Sequence, residues 1–235
     1  MEKIKELKKN LIPYKTNHIK KRYGVLGDGG YVLSETLLEK TKHAYSLGIS
    51  DEFTIDLQLS EKGIKIFQYD VNFCKVPKKE NLIFKQLYID AKSLNNEIIS
   101  NDTKLSDHNL LLMDIEGGEY DVILSDLEVI KNFSQICMEV HYIFDNEKSL
   151  DFFKKINENF TLIHIHANNW SVSDSHQKHI KGDGLRDGIA DILELTYVRN
   201  DSIEFKKISE ESCPTELDSS NYKLLPDIKM SWWII

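Results

Sequence analysis

Apolar runs of strand length recur along the chain at Tyr45–Leu47, Ile64–Tyr69, Leu82–Ile89, Leu110–Met113, Ile136–Val140 and Leu162–Ile165. Mixed polar and apolar segments of helical character separate them: Asp51–Lys62, Ala91–Ser100, Glu119–Asn132 and Lys148–Asn157. Strands that alternate with helices predict βαβ units and a mostly parallel sheet. The first helix is the best marked. Ser50 is a good N-cap, Asp51 and Glu52 fall in the first turn, and Gly63 follows the end. The last third reads differently. Asp191–Val198 and Met230–Ile235 are two late β-rich runs that predict an antiparallel hairpin closing the sheet. Residues 171–188 and 200–222 are long polar stretches of the kind that form lids or connectors. Residues 1–43 precede the first sheet strand and are expected as a helical and loop cap. The whole chain, 1–235, is expected to form one α/β domain.

Composition narrows the class. Hydrophobic residues make up 41% of the 235, enough for a sizeable core. The formal net charge of −8 argues against a nucleic-acid surface, which needs clustered Lys and Arg. Cys74, Cys137 and Cys213 are scattered and odd in number, which points to a reducing compartment and away from a disulfide or cysteine–zinc scaffold. No run of about 18 apolar residues is present to span a membrane. The N-terminal segment has no continuous apolar stretch of a signal peptide, so the cytoplasm is the expected address.

Acids fall at the strand ends in succession: Asp70, Asp90, Asp114, and then Glu139 with His141. In a parallel sheet these positions share the edge where open α/β folds bind ligands. The strand–turn–helix start around Gly48, Ser50 and Asp51 offers backbone N–H groups to a bound ligand. Asp70 follows Gly48 by 22 residues, the reach at which an acid meets ribose hydroxyls. A full G-x-G-x-x-G is missing, so this spacing alone leaves NAD, S-adenosylmethionine (SAM) and a nucleotide sugar open. Upstream, Asp28 lies in Gly27-Asp-Gly-Gly-Tyr31, a loop able to bring a carboxylate close to a ligand. Asp114-Ile-Glu-Gly-Gly-Glu-Tyr120 places Asp114, Glu116 and Glu119 within six positions, which suits metal binding, base catalysis or holding a cation; first-turn capping accounts for Glu119 alone. His141, His164 and His166 lie near strand ends, and a divalent ion on Asp114 with His141 or His166 is chemically reasonable.

The segments YSLGISDEFTIDL, LLMDIEGGEYDVIL, MEVHYIF and HIHANN, in this order, resemble the FkbM-type methyltransferases, in the branch that also carries a DGGY loop. The resemblance runs from about Arg22 to Val198 and returns near LLPDIKMSWW. It implies a Rossmann-like class I methyltransferase sheet, mostly parallel with a C-terminal antiparallel hairpin and helices on both faces. It implies SAM bound over Gly48, Ser50 and Asp51, with Asp28, Gly29, Gly30 and Tyr31 closing on its amino-acid end, Asp70 on the ribose and Asp90 beside the adenine. The implied reaction is O-methylation of a small polar acceptor, a sugar or nucleotide-linked sugar in bacterial glycan (surface polysaccharide) biosynthesis. His141 is the expected base, with Asp114, Glu116 and His166 orienting it or holding Mn or Mg. The rivals are an NAD-dependent sugar-modifying enzyme and a non-catalytic scaffold of the same fold. The polar lid carries His176, His179, Lys181 and Arg186, which are open to meeting a phosphorylated or nucleotide-linked sugar or to forming a solvated loop, the latter favoured for any one of them. Trp232 and Trp233 are open to core or dimer-interface roles.

Overall fold

The computed structural model describes residues 2–103, 108–125 and 127–234. Seven strands form the central sheet: β1 His43–Leu47, β2 Lys65–Asp70, β3 Leu82–Gln86, β4 Asn109–Met113, β5 Phe133–Val140, β6 Phe160–Ala167 and β7 Leu193–Arg199. Their spatial order is β3-β2-β1-β4-β5-β7-β6. The pairs from β3 through β5 are parallel, and β7 runs antiparallel to both neighbours. The strand order reverses between β1 and β4, which opens a crevice at the carboxyl ends of the strands.

The sheet is covered on both faces, and the period of two along each strand sorts its residues between them. Tyr45, Leu47, Phe67, Tyr69, Leu111, Met113, Ile136 and Met138 pack into the larger core. That core also takes Leu7 of α1 (Glu2–Asn10), Leu94 and Ile98 of α2 (Ala91–Ser100), Val122 and Ile123 of α3 (Glu119–Ser125), and Phe152, Phe153 and Ile156 of α4 (Ser149–Asn157). Ala44, Ile66, Leu110, Leu112 and Cys137 face the other way, against Ile55 and Leu59 of the helix Thr54–Glu61 and the hairpin Lys20–Tyr23/Tyr31–Ser34. This second face carries buried polar groups that stitch the cover to the sheet. Gln68 donates to Asp56 at 2.7 Å, and Thr196 donates to the Val32 carbonyl.

Several boundaries differ from the sequence reading. The helix expected from Asp51 begins at Thr54, and Ser50 does not cap it. Ser50 instead has φ +45° and gives its N–H to Asp70, so the turn is built for the strand edge. The strand expected to reach Ile89 ends at Gln86, after which the Leu87 N–H bonds the Asp70 carbonyl. Glu119–Asn132 divides into α3 and the short helix Leu127–Ile130. The antiparallel closure is present, but its two members are β6 and β7. Ile235 lies outside the described residues; of the expected run Met230–Ile235, the described residues contribute the isolated bridge of Met230 to Cys213 and no strand. The tryptophans there are held by side chains: the Trp232 indole donates to the Lys8 carbonyl and Trp233 to that of Glu211, and the rings meet edge to face. Trp233 is buried in the core, and Trp232 is half-buried against it. Among the described residues no helix is long and apolar enough to cross a membrane.

Candidate active site

The crevice is a cleft of about 590 Å³ at the carboxyl ends of β1, β2 and β4. Gly48 ends β1 with φ +77°, and a Cβ there would lie 1.7 Å from the Asp114 carbonyl oxygen. Only glycine lets the turn after β1 pass this close to β4. Asp70 is fixed by two backbone donors: the Ser50 N–H on Oδ2 at 3.0 Å and the Asn72 N–H on Oδ1 at 2.7 Å. Gly48, Ser50, Asp70, Asp114 and Glu116 all line the cleft, and Leu47, Tyr69 and Ile115 supply apolar wall.

Beside it, four carboxylates surround one imidazole. His141 Nδ1 lies 3.3 Å from Glu119, and Nε2 lies 3.2, 3.5 and 3.8 Å from Glu139, Glu116 and Asp114. The His141 carbonyl is pinned by the Tyr120 hydroxyl at 2.7 Å. Glu119 is wholly buried, takes the Ile115 N–H on the oxygen that faces His141, and leaves its other oxygen without a partner. Burial lowers the His141 pKa, but hydrogen bonds to Glu119 and Glu139 outweigh it and hold the ring well above its ordinary value. Burial, and then repulsion from Glu139, push the Asp114 carboxyl well up, against the pull of His141. Asp114 is half-buried at the cleft, and its second oxygen accepts the Tyr31 hydroxyl at 3.1 Å. Glu116 and Tyr142 adopt φ +55° on either side of this group, strain of the kind that collects at working sites.

A second acidic group lies next to the first. Glu139, Glu194 and His166 stand in one row across β5, β7 and β6, as directly paired positions. His166 is clasped by Glu194 at 2.8 Å and Asp227 at 3.2 Å, which together lift its pKa to about 10 against the opposing effect of burial. Asp28 reaches this row from the glycine loop, and the Asn221 amide donates to both Asp28 and Glu194. Deeper on β6, His164 meets Asp218 at 2.8 Å, which ties residues 209–234 to the sheet.

Of the residues expected from sequence, Asp114, Glu116 and His141 are brought together, and His166 is not. Both of its ring nitrogens are engaged by Glu194 and Asp227, so it neither orients His141 nor shares an ion with it and Asp114. Glu139 occupies the place expected for His166 in a geometrically sound ligand set with Asp114 and His141. Asp28, Gly29 and Gly30 are not among the residues that line the cleft; Gly29 packs against the Glu52 side chain, and the loop reaches the site through the Tyr31 hydroxyl on Asp114. Asp51 and Asp90 are exposed. Asp90 caps α2 by accepting the Ser93 N–H on Oδ1 at 2.7 Å. In the polar lid, His176 is anchored by Asp191 and stacks on Tyr142 at 5.8 Å, while Arg186 lies over Phe144. Sequence reasoning placed Glu139 with His141 at the strand edge without assigning it a role, and it missed Glu194. Glu139 sits two positions before His141 at the end of β5, so the two are carried to the same place. Glu194 was an acid inside an apolar run, with nothing in its neighbourhood to mark its partners.

The Methyltransferase FkbM domain family matches residues 27–171. No curated protein matches the chain. Among solved structures, a protein of Lactococcus lactis provisionally described as a hemolysin aligns at 9% identity and a TM-score of 0.44, over 70% of this chain and 81% of that one. A fibrillarin/Nop5p complex aligns at 10% identity and 0.39, over 68% and 73%. A similarly described protein of Streptococcus thermophilus aligns at 12% and 0.41, over 74% and 72%.

Proposed function

Because the chain belongs to the FkbM methyltransferase family, we propose that it methylates a hydroxyl of a small, uncharged, polar acceptor such as a sugar. The donor that family membership brings, SAM, supplies an electrophilic methyl on a sulfonium. Its seat is the cleft after β1. The Gly48–Ser50 turn runs beneath it, Asp70 meets the ribose, and Asp90, capping through Oδ1 alone, takes the adenine side. The loop from Asp28 to Tyr31 closes over the amino-acid end.

A neutral alcohol is a weak nucleophile, so its proton needs an acceptor as the new C–O bond forms. Asp114 is the side chain for this step, because it faces the cleft while His141 is enclosed and only 4% exposed. The proton goes to an Asp114 oxygen; His141 behind it, held on both nitrogens by Glu119 and Glu139, balances the charge. This exchanges the roles expected for Asp114 and His141 from sequence. Glu116, at the mouth, orients the acceptor. The single observation that carries the reading is this carboxylate–imidazole centre at the lip of the cleft. Its acidic surroundings repel phosphate, which favours an acceptor whose ring is uncharged where it meets the centre. A phosphate or nucleotide group on a linked acceptor then lies away from this wall. A role in surface glycan synthesis agrees with such an acceptor. The cysteines are free and buried, which supports a reducing compartment such as the cytoplasm.

The test is transfer of label from radioactive SAM to a panel of neutral and phosphorylated sugars. Asp114→Asn is expected to lower kcat by about a hundredfold or more, while affinity for S-adenosylhomocysteine (SAH) stays within about threefold. Unchanged kcat in this variant contradicts the assignment, and absence of transfer to any acceptor leaves the scaffold reading.

A further inference from the structure

Next to the proton-transfer centre, and sharing Glu139 with it, the described residues hold a second acidic group. Glu139 and Glu194 are directly opposed on β5 and β7, where like charges repel. Asp28 descends on them from the glycine loop. One oxygen from each of the three lies within 4.8 Å of the others. Asn221 alone bridges Asp28 and Glu194 with a neutral amide. The cations nearby have other partners. His141 lies between Glu139 and Glu119, and His166 between Glu194 and Asp227; Arg22 donates through Nε and Nη2 to the carbonyls of Val25 and Gly27, and its buried Nη1 has no partner.

Two atoms of this group are buried without a partner, and both are acceptors: Glu139 Oε2 and Asn221 Oδ1. Glu139 itself is only 4% exposed. A buried acceptor without a donor is costly, and the cost is larger for a carboxylate. Orphaned acceptors with no orphaned donor among them call for a cation. An all-oxygen set of three carboxylates suits a hard divalent ion, Mg²⁺, Mn²⁺ or Ca²⁺, above a soft one.

We infer that Asp28, Glu139 and Glu194 bind one hard divalent cation, which draws the Asp28–Tyr31 loop onto the sheet. The alternative set of Asp114, Glu139 and His141 is less suited, since the imidazole of His141 already fills that place as the cation. The ion lies next to the acceptor end of the cleft through Glu139, which shares its other oxygen with His141 and Asn168. Through the loop it also steadies Tyr31 on Asp114. Its role is thus to hold the loop, apart from the proton transfer itself.

The test uses the full chain, stripped with EDTA and titrated with Mn²⁺, with free Mn²⁺ read by electron paramagnetic resonance. SAH binding is measured on the same samples. One saturable Mn²⁺ per chain is expected, displaced by Mg²⁺ or Ca²⁺. Asp28→Asn and Glu194→Gln are each expected to weaken it by about tenfold or more, and His141→Gln to bind at least as tightly as the wild type. Asp28 is on an exposed loop, so its variant remains informative if Glu194→Gln fails to fold. Mn²⁺ binding lost in His141→Gln and kept in Asp28→Asn overturns the site, as does no saturable binding at millimolar Mn²⁺. SAH binding in the same samples separates that failure from failure of the methyltransferase reading.

Discussion

Replacing Gly48 by alanine tests the cleft at the point where sequence and geometry meet most closely. Two costs arise. The residue keeps φ +77°, in the left-handed region, which costs an alanine about 1–2 kcal/mol. The new Cβ also falls 1.7 Å from the Asp114 carbonyl oxygen, and that neighbour is backbone, so β4 must move. Gly63 separates the two costs, because it has φ +86° with nothing within 4 Å of a built Cβ. Gly63→Ala should therefore lose only the conformational part, about 1 kcal/mol, or about 2–4 °C in Tm for a chain of this size. Gly48→Ala should lose more in Tm. It should also weaken SAH binding by about tenfold or more, about 1.4 kcal/mol, because Ser50 and Asp114 shift with the turn. Calorimetric titration with SAH and thermal unfolding of both variants decide the matter. A Gly48→Ala protein that binds SAH like the wild type refutes the argument that this turn must approach β4 to form the site.

Other outcomes follow from buried polar groups. Burial lifts the Asp56 carboxyl from 3.8 to about 6, only partly offset by its hydrogen bond from Gln68. The folded chain then keeps a proton that the unfolded chain releases, so stability falls as pH rises from about 4 to about 6. Asp56→Asn should remove this slope and raise stability at pH 7 by up to about 3 kcal/mol, its new amide reaching the unpartnered Gln68 oxygen. A pH profile of Tm unchanged from the wild type contradicts this. Asp218 is held well below its ordinary pKa against the cost of burial, by His164 first and by Thr215. Its contribution is complete above about pH 4 and fades as pH falls towards its folded value. Asp218→Ala should cost about 3 kcal/mol by stranding the His164 ring and the Thr215 N–H; hydrogen exchange should localise the loosening to residues 209–234. Wild-type stability sinks that account. Asp70→Ala should free the Ser50 and Asn72 N–H groups and weaken SAH binding by about tenfold or more, and unchanged affinity removes Asp70 from the donor site.

Much of this architecture was legible because the parallel strands are buried on both faces. β4 reads Asn-Leu-Leu-Leu-Met, and all five residues are buried, as a central parallel strand requires. Acids at successive strand ends located the cleft, since topology carries those ends to one edge. Two kinds of feature stayed hidden. Met230–Ile235 has the composition of a strand, yet its tryptophans are fixed by side-chain contacts to Lys8 and Glu211, far away in sequence. His166 sits beside His164 in sequence and looked ready to join His141. The insertion of β7 between β5 and β6 instead hands it to Glu194, and the C-terminal segment adds Asp227. Asn221 and Asp227 come from beyond the last sheet strand, and no local pattern announces which residues such a segment covers.

The most direct test of the central claim is a calorimetric titration of the purified protein with SAH, with NAD titrated in parallel. A saturable micromolar isotherm for SAH and none for NAD is the predicted result. No heat of binding with SAH at millimolar concentration, or binding of NAD in its place, contradicts the assignment of the cleft after β1 to the methyl donor.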